Sequence, residues 1–293
     1  MKGMIQMVYL KEFTLLDDVQ EHFALLNELR IYNMNYYPYG LFSHKDFRNI
    51  KFEPITIFYG GNGSGKTTLL NIITEKVNAS RSGRVDKGML FRKYSDSCTC
   101  EIFHRYDCKE IKFITSDDVF DYLLDVRAIN SGVNRQKEDL ALGYIQTKYG
   151  EKGDFEDYQD LKERVSARRQ TRSQFIRSKL VNNNITEHSN GETALMFWQN
   201  EIKDHSVYIL DEPENSLSAE NQIRLVQFIE ESARFYDCQF IISTHSPFIL
   251  SLKDALIYDL DENPVITKKW NELKNVKVYH DFFKDHEDEF KDE

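Results

Sequence analysis

The apolar positions of this chain fall into two periods, and their alternation predicts an α/β protein. Short, largely apolar runs stand at Ile55–Phe58 behind Pro54, at Val207–Leu210, at Gln239–Ile242 and at Ala255–Leu260. Runs of that length, bounded by turn residues, read as buried strands. Around them the spacing becomes helical. Leu69, Leu70, Ile72, Ile73 and Val77 follow the first run, and Ala194, Leu195, Trp198 and Ile202 precede the second. Ile223, Val226 and Ile229 follow the second run on one expected face, with Ser218 as N-cap. Weaker patterns predict an edge strand within Met4–Thr14, a short helix over Glu21–Ile31, and strands near Cys98–Phe103 and Ile111–Thr115. A helix is expected from Asp117 to about Leu140, interrupted at Asn130-Ser131-Gly132. From Asp281 onward seven acids against two lysines predict a solvated or fraying end.

The chemistry lies at the ends of the runs. Directly after Ile55–Phe58 stands Gly60-Gly61-Asn62-Gly63-Ser64-Gly65-Lys66-Thr67-Thr68, which reads G-x-x-x-x-G-K-S/T between a strand and a helix. That context is what a phosphate-binding P-loop requires. Gly60, Asn62, Gly63, Ser64 and Gly65 would turn backbone N–H groups toward a phosphate, with the helix N-terminus behind them. Lys66 is expected to reach the β- and γ-phosphates of ATP, and the Thr67 hydroxyl to hold Mg²⁺. Val207–Leu210 ends in Asp211-Glu212-Pro213. Two adjacent acids at the C-terminal end of a buried strand fit Asp211 as a second Mg²⁺ ligand and Glu212 as the group that polarises a water. Gln239–Ser243 ends in Thr244-His245-Ser246-Pro247, where His245 could bond a γ-phosphate.

Other candidates are less specific. Tyr39 or Phe42, in the aromatic loop from Tyr32 to Phe42, could stack on an adenine, although rings more commonly pack such a loop onto a core. Cys98, Cys100, His104 and Cys108 are four possible zinc ligands. Their spacing departs from the separated C-x₂₋₄-C pairs of structural zinc sites. Residues 161–180 carry seven Lys or Arg against one acid, with Arg164, Arg168 and Arg172 on one helical face. Such a stripe can hold nucleic-acid phosphates or be a solvated face paired with the acidic 151–160 stretch.

Composition narrows this. A hydrophobic content of 41% is ample for a core, and a net charge of −10 argues against wholesale nucleic-acid binding. No apolar run approaches the roughly 18 residues of a membrane span. The N-terminal ten residues do not read as a signal peptide, and four unevenly placed cysteines suit a reducing compartment, so a cytoplasmic protein is expected.

Taken together, the P-loop at 60–67, Ser189-Asn190-Gly191-Glu192, Val207–Glu212 and Thr244–Pro247 resemble the ATP-binding-cassette ATPase heads of the RecF, SMC and OLD type. More narrowly they resemble the small stand-alone bacterial ATPases of that group. The resemblance implies a P-loop NTPase fold of the ABC-head type, a mixed sheet flanked by helices. It implies a core of 1–80 and 188–293 and an inserted lobe at 81–187 between P-loop and signature. Ser189, Gly191 and Glu192 would be the signature S-x-G-E/Q, capping ATP bound to a second subunit, and His245 the switch histidine. Glu214–Ser218 would be the D-loop. His188 and Asn190 depart from the transporter signature. The Q-loop glutamine is open among Gln136, Ser116 and Asp117. The activity implied is Mg²⁺-dependent ATP hydrolysis driving a dimerisation or conformational switch, with a partner protein in DNA maintenance or phage defence; the rival reading is a nucleic-acid clamp gated by ATP binding through 161–180.

Overall fold

Four of the apolar runs become neighbouring parallel strands. The computed structural model describes residues 7–26, 36–82, 88–103, 108–126, 139, 190–215 and 217–290. By internal contact the chain divides into one unit of Met1–Val119 with Asn190–Glu293 and a second of Phe120–Ser189. Of the second unit only 120–126 and 139 are described, and 116–126 are helical.

The first unit is built on β1 (Leu10–Thr14), α1 (Asp18–Leu26), β2 (Asn49–Lys51), β3 (Ile55–Tyr59), α2 (Lys66–Lys76), α3 (Met89–Ser97), β4 (Thr99–Ile102) and β5 (Glu110–Thr115). It continues with α4 (Asn190–Glu201), β6 (Ser206–Asp211), α5 (Ala219–Phe235), β7 (Gln239–Thr244), α6 (Pro247–Leu250), β8 (Leu256–Asp259), β9 (Ile266–Thr267) and α7 (Lys274–Asp285). A six-stranded sheet has the order β5-β6-β7-β3-β8-β9, parallel except for β9, and an antiparallel three-stranded sheet has the order β2-β1-β4. The strands at 99–102 and 110–115, which the sequence reading put in the inserted lobe, thus belong to the two sheets of the first unit.

Strand composition follows from coverage. Every residue of β3, β6 and β7 is buried, so these strands read as continuous apolar runs. Phe58, Val207, Ile209 and Ile241 face a core shared with α2, α3 and the small sheet. The alternate positions Tyr208, Leu210, Phe240 and Ile242 are equally buried, and Tyr208 stacks on Phe240. The helix stripe of α4 is as expected, with Ala194, Leu195, Trp198 and Ile202 all buried. Ser218 caps α5, its hydroxyl accepting from the Asn221 N–H.

Two expectations are corrected. Ile223 is exposed, because the buried stripe of α5 runs through Leu225, Val226, Ile229 and Ala233. In α1 the polarity is inverted: Phe23 is exposed, whereas Glu21 is buried and accepts from the Gly40 N–H and the Ser43 hydroxyl. The acidic end is solvated as expected, its first residues forming the exposed last turns of α7, whose start is buried through Leu273 and Val276.

One buried amide joins the two sheets. Gln239, the first residue of β7, accepts from the Tyr9 and Leu10 N–H groups at 2.9 and 2.8 Å. Its Nε2 donates to the Leu10 carbonyl at 2.8 Å and to the Glu53 carbonyl at 3.3 Å. Leucine would fill the same space and leave all four backbone groups without this partner. Gln239→Leu is expected to lose about 2–4 kcal/mol of unfolding free energy in a urea titration, since buried unpaired polar groups are costly.

Candidate nucleotide site

The parallel register brings the chemistry to one edge. Tyr59 is level with Thr244, and Asp211 is level with Ser243 and with Thr115. The loops following β3, β6 and β7 therefore leave the sheet side by side at its C-terminal edge, where open α/β sheets bind ligands.

The loop after β3 has the form its glycines permit. Gly65 holds φ +106°, and a Cβ there would lie 3.2 Å from the Phe42 ring. A Cβ on Gly60 would come within 2.4 Å of the Ser64 hydroxyl. Neither position admits a larger residue without rearrangement. The loop is braced from outside as well. The Asp261 carboxylate accepts from the Gly61 N–H with both oxygens, at 3.0 and 2.9 Å. Lys45 Nζ donates to the Ser64 carbonyl at 3.1 Å and the Leu260 carbonyl at 2.6 Å. Neither Asp261 nor Lys45 carries a sequence signal of its own, because each works through a contact made across the fold.

Beside the loop is a cleft of about 450 Å³ lined by residues 61–68, Tyr37, Leu41 and Glu212. Lys66 is 5% exposed, and its ammonium donates to the Gly60 and Gly61 carbonyls at 2.7 and 3.1 Å. Thr67 Oγ1 donates to Asp211 Oδ1 at 3.2 Å, and the Ser243 hydroxyl donates to the same oxygen. A hydroxyl and a carboxylate so paired are oxygen donors of the kind a hard divalent cation takes. Glu212 Oε1 lies 3.8 Å from Lys66 Nζ and 3.6 Å from His245 Nδ1, and its Oε2 accepts from Asn215 Nδ2 at 3.2 Å. The Glu212 backbone is left-handed, φ +48°, a conformation that costs a non-glycine residue roughly 1–3 kcal/mol. It is held there by the Glu212 N–H donating to the Ser243 carbonyl at 3.0 Å.

Tyr39 and Phe42 pack the aromatic loop onto the core, the commoner of the two uses read in the sequence, and do not line the cleft. Phe42 is fully buried against Phe47, and Tyr39 meets Tyr94 edge to face. Tyr37 is the ring beside the cleft: it stacks on Phe91, and its hydroxyl is 2.6 Å from Thr68 Oγ1.

Among the remaining candidates, Glu192 lies in the first turn of α4 and Gly191 in its backbone, while His188, Ser189, His104, Gln136 and 161–180 lie outside the described residues. Ser116 and Asp117 follow Thr115 at the same sheet edge as Asp211. The thiols of Cys98 and Cys108 face the carbonyls of Tyr94 and Glu110, and among the described residues no three potential ligands cluster for a metal.

Burial raises the Asp211 carboxyl above the usual carboxylate range, opposed by the hydrogen bonds from Ser243 and Thr67. The folded chain thus holds this proton more tightly than the unfolded chain. Stability contributed by Asp211 is present below the ordinary carboxylate pKa and is lost as pH rises through the raised value. Asp211→Asn, which keeps an acceptor oxygen without the charge, is expected to raise unfolding free energy near neutral pH by about 1 kcal/mol. The gain should vanish in acid, where the parent carboxyl is itself protonated; urea titrations at several pH values check it.

Residues 112–251, just under half of the chain, match the family described as "AAA domain, putative AbiEii toxin, Type IV TA system". No curated protein matches the chain. Among solved structures, the SMC head domain from Thermotoga maritima is 14% identical at TM-score 0.41, with 89% of this chain and 99% of that one covered. The Smc head domain from Pyrococcus furiosus, bound to the C-terminal domain of ScpA, is 14% identical at TM-score 0.38, over 80% of this chain and 94% of that one. A dimeric ATP-binding cassette in a post-hydrolysis state, bound to ADP and Pi, is 14% identical at TM-score 0.35, over 76% and 93%. No helix among the described residues is long and apolar enough to cross a membrane. The family match takes in Asp211, Glu212 and His245 but starts after the P-loop, so loop and match are independent observations that meet at one sheet edge, and on both the chain is similar to P-loop proteins of the AAA type.

Proposed function

We propose that this chain binds ATP with Mg²⁺ at the P-loop, hydrolyses it, and uses the cycle as a conformational switch that closes and opens a dimer. The observation that carries the reading is the convergence on Glu212, whose carboxylate lies within 4 Å of both Lys66 and His245 beside the Thr67–Asp211 pair. Thr67 and Asp211 would hold Mg²⁺, which when bound neutralises phosphate charge. The residues of the chain supply the rest. The loop N–H groups and the α2 N-terminus orient the phosphates. Lys66 exchanges two neutral carbonyl acceptors for phosphate oxygens, a stronger, charge-assisted bond. Glu212 holds the attacking water and takes its proton, and His245 donates to the γ-phosphate. Tyr37 is placed to contact the base. Ser189, Gly191 and Glu192 would cap the nucleotide of a second copy, giving a homodimer with two composite sites.

The output would be conformational and read by a partner protein in a cytoplasmic setting of DNA maintenance or phage defence. The family description names a toxin of a type IV toxin–antitoxin system, which supports the defence setting. The second unit, Phe120–Ser189, would carry the specificity.

Glu212→Gln tests this directly. The parent should release phosphate from ATP–Mg²⁺, and the variant should be slower by about a hundredfold or more while still binding ATP. Mass in solution should rise in the variant only when ATP–Mg²⁺ is present. ATP bound by the variant with turnover equal to the parent's would overturn Glu212 as the base. ATP bound with no change in mass would overturn the ATP-dependent dimer.

A further inference from the structure

We infer that Glu214 is a positioning residue for His245, holding the 244–246 backbone so that the imidazole stays in reach of Glu212. The inference rests on the nucleotide-site reading above and adds a residue which that reading does not use.

Glu214 stands in the turn after β6, yet its side chain is 5% exposed and runs under the loop that follows β7. One oxygen, Oε1, accepts from three donors of that loop: Thr244 Oγ1 at 2.6 Å, the His245 N–H at 3.2 Å and the Ser246 N–H at 3.3 Å. His245 Nδ1 lies 3.8 Å from the same oxygen. Oε2 is buried and has no hydrogen-bond partner among the described residues. Burial pushes the carboxyl up, against the hydrogen bonds that favour its charge. A carboxylate that only needed to be solvated would not be placed like this. The cost of burying it is offset by the bonds that Oε1 makes to the histidine loop.

The loop is fixed from two other sides. Ser246 Oγ donates to Gln222 Oε1 at 2.6 Å, and Gln222 Nε2 donates to the Leu217 carbonyl at 3.0 Å. Asn275 Nδ2 donates to the His245 carbonyl at 2.5 Å. His245 is itself half exposed, so its ring has little packing to hold it. Its place is set through its backbone: Glu214 accepts from the His245 N–H and shares the Ser246 N–H with Thr244 Oγ1, which accepts it at 2.9 Å and itself donates to Glu214. A residue that must meet Glu212 and a phosphate at once is sensitive to displacements of about 1 Å.

Three variants separate acceptor, reach and charge. Glu214→Gln keeps an oxygen for the three donors, and its amide nitrogen replaces an oxygen that accepts nothing. Glu214→Asp keeps the charge but is one methylene too short, and Glu214→Ala removes both. In the full-length protein, kcat for ATP should fall about tenfold to a hundredfold in the Asp and Ala variants, with KM within about threefold of the parent's. The Gln variant should stay within about threefold of the parent in both. Amide exchange at His245 and Ser246 should be faster by about tenfold or more in the Asp and Ala variants and unchanged in the Gln variant.

Gln as impaired as Ala would overturn the proposal in favour of charge. So would an Asp or Ala variant with parent-like kcat, or with exchange accelerated throughout the sheet rather than at these two amides. A parent that binds ATP without hydrolysing it would overturn the hydrolysis reading instead. The exchange arm would then decide alone: selective loss of protection in the Asp variant sustains the positioning role, and fast exchange at His245 in the parent overturns it.

Discussion

The site depends on the register of three parallel strands. β3, β6 and β7 are buried along their whole length, and each must align its backbone with the next for its hydrogen bonds to be made. That alignment sets Tyr59 beside Thr244 and Asp211 beside Ser243, so Lys66, Glu212 and His245 leave the sheet as neighbours although they are far apart in sequence. A slip of one residue would turn every apolar side chain to the opposite face. The burial that stabilises the sheet is thus also what fixes the chemistry.

That constraint explains which parts of the molecule were legible in the sequence. Strands buried on both faces leave an unbroken apolar run, and β3, β6, β7 and β8 all lie where such runs stand. Residues 60–67, 211–212 and 245 could be found because polar groups end those runs abruptly. What periodicity misses is the side chain whose purpose is a contact across the fold. Glu21 looks like a surface residue of an amphipathic helix, yet it is buried to hold Gly40 and Ser43. Gln239 looks like the polar start of a strand, yet it bonds the small sheet to the large one. Tyr37, Lys45 and Asp261 are ordinary loop residues until the fold brings them to the P-loop. Ile223 fails in the other direction: its spacing fits the α5 stripe, but the stripe is centred on Leu225 and Ile229.

The site concentrates features that oppose stability. Asp211 is buried with its carboxyl raised, Glu212 occupies a left-handed backbone, and Glu214 has one oxygen orphaned. Each is tolerated because the surrounding strands over-determine it: Ser243 bonds both Asp211 and the Glu212 N–H, and Thr244 bonds Glu214. Such strain is commonly met where groups are held ready for a reaction. Here it lies at the end of β6 and in the turn that follows, and the P-loop, fitted by glycine to its shape, carries none of the non-glycine positive-φ residues.

The pattern of partners suggests how these loops share one another's constraints. The P-loop is braced by the turn after β8, through Asp261 and Lys45, while the histidine loop is braced by the turn after β6, through Glu214, and by α5 and α7 through Gln222 and Asn275. Asn275 also donates its backbone N–H to the Tyr59 hydroxyl at 3.1 Å, at the end of the strand that feeds the P-loop. The start of α7 is therefore bonded both to the histidine loop and to the strand that feeds the P-loop. A displacement of His245 would be felt at Asn275, because a backbone carbonyl cannot move without straining the bond it accepts. Since α7 carries exposed Phe282 and Phe283 about two turns further on, the same bond joins the nucleotide edge to a helix whose outer face is open to solvent.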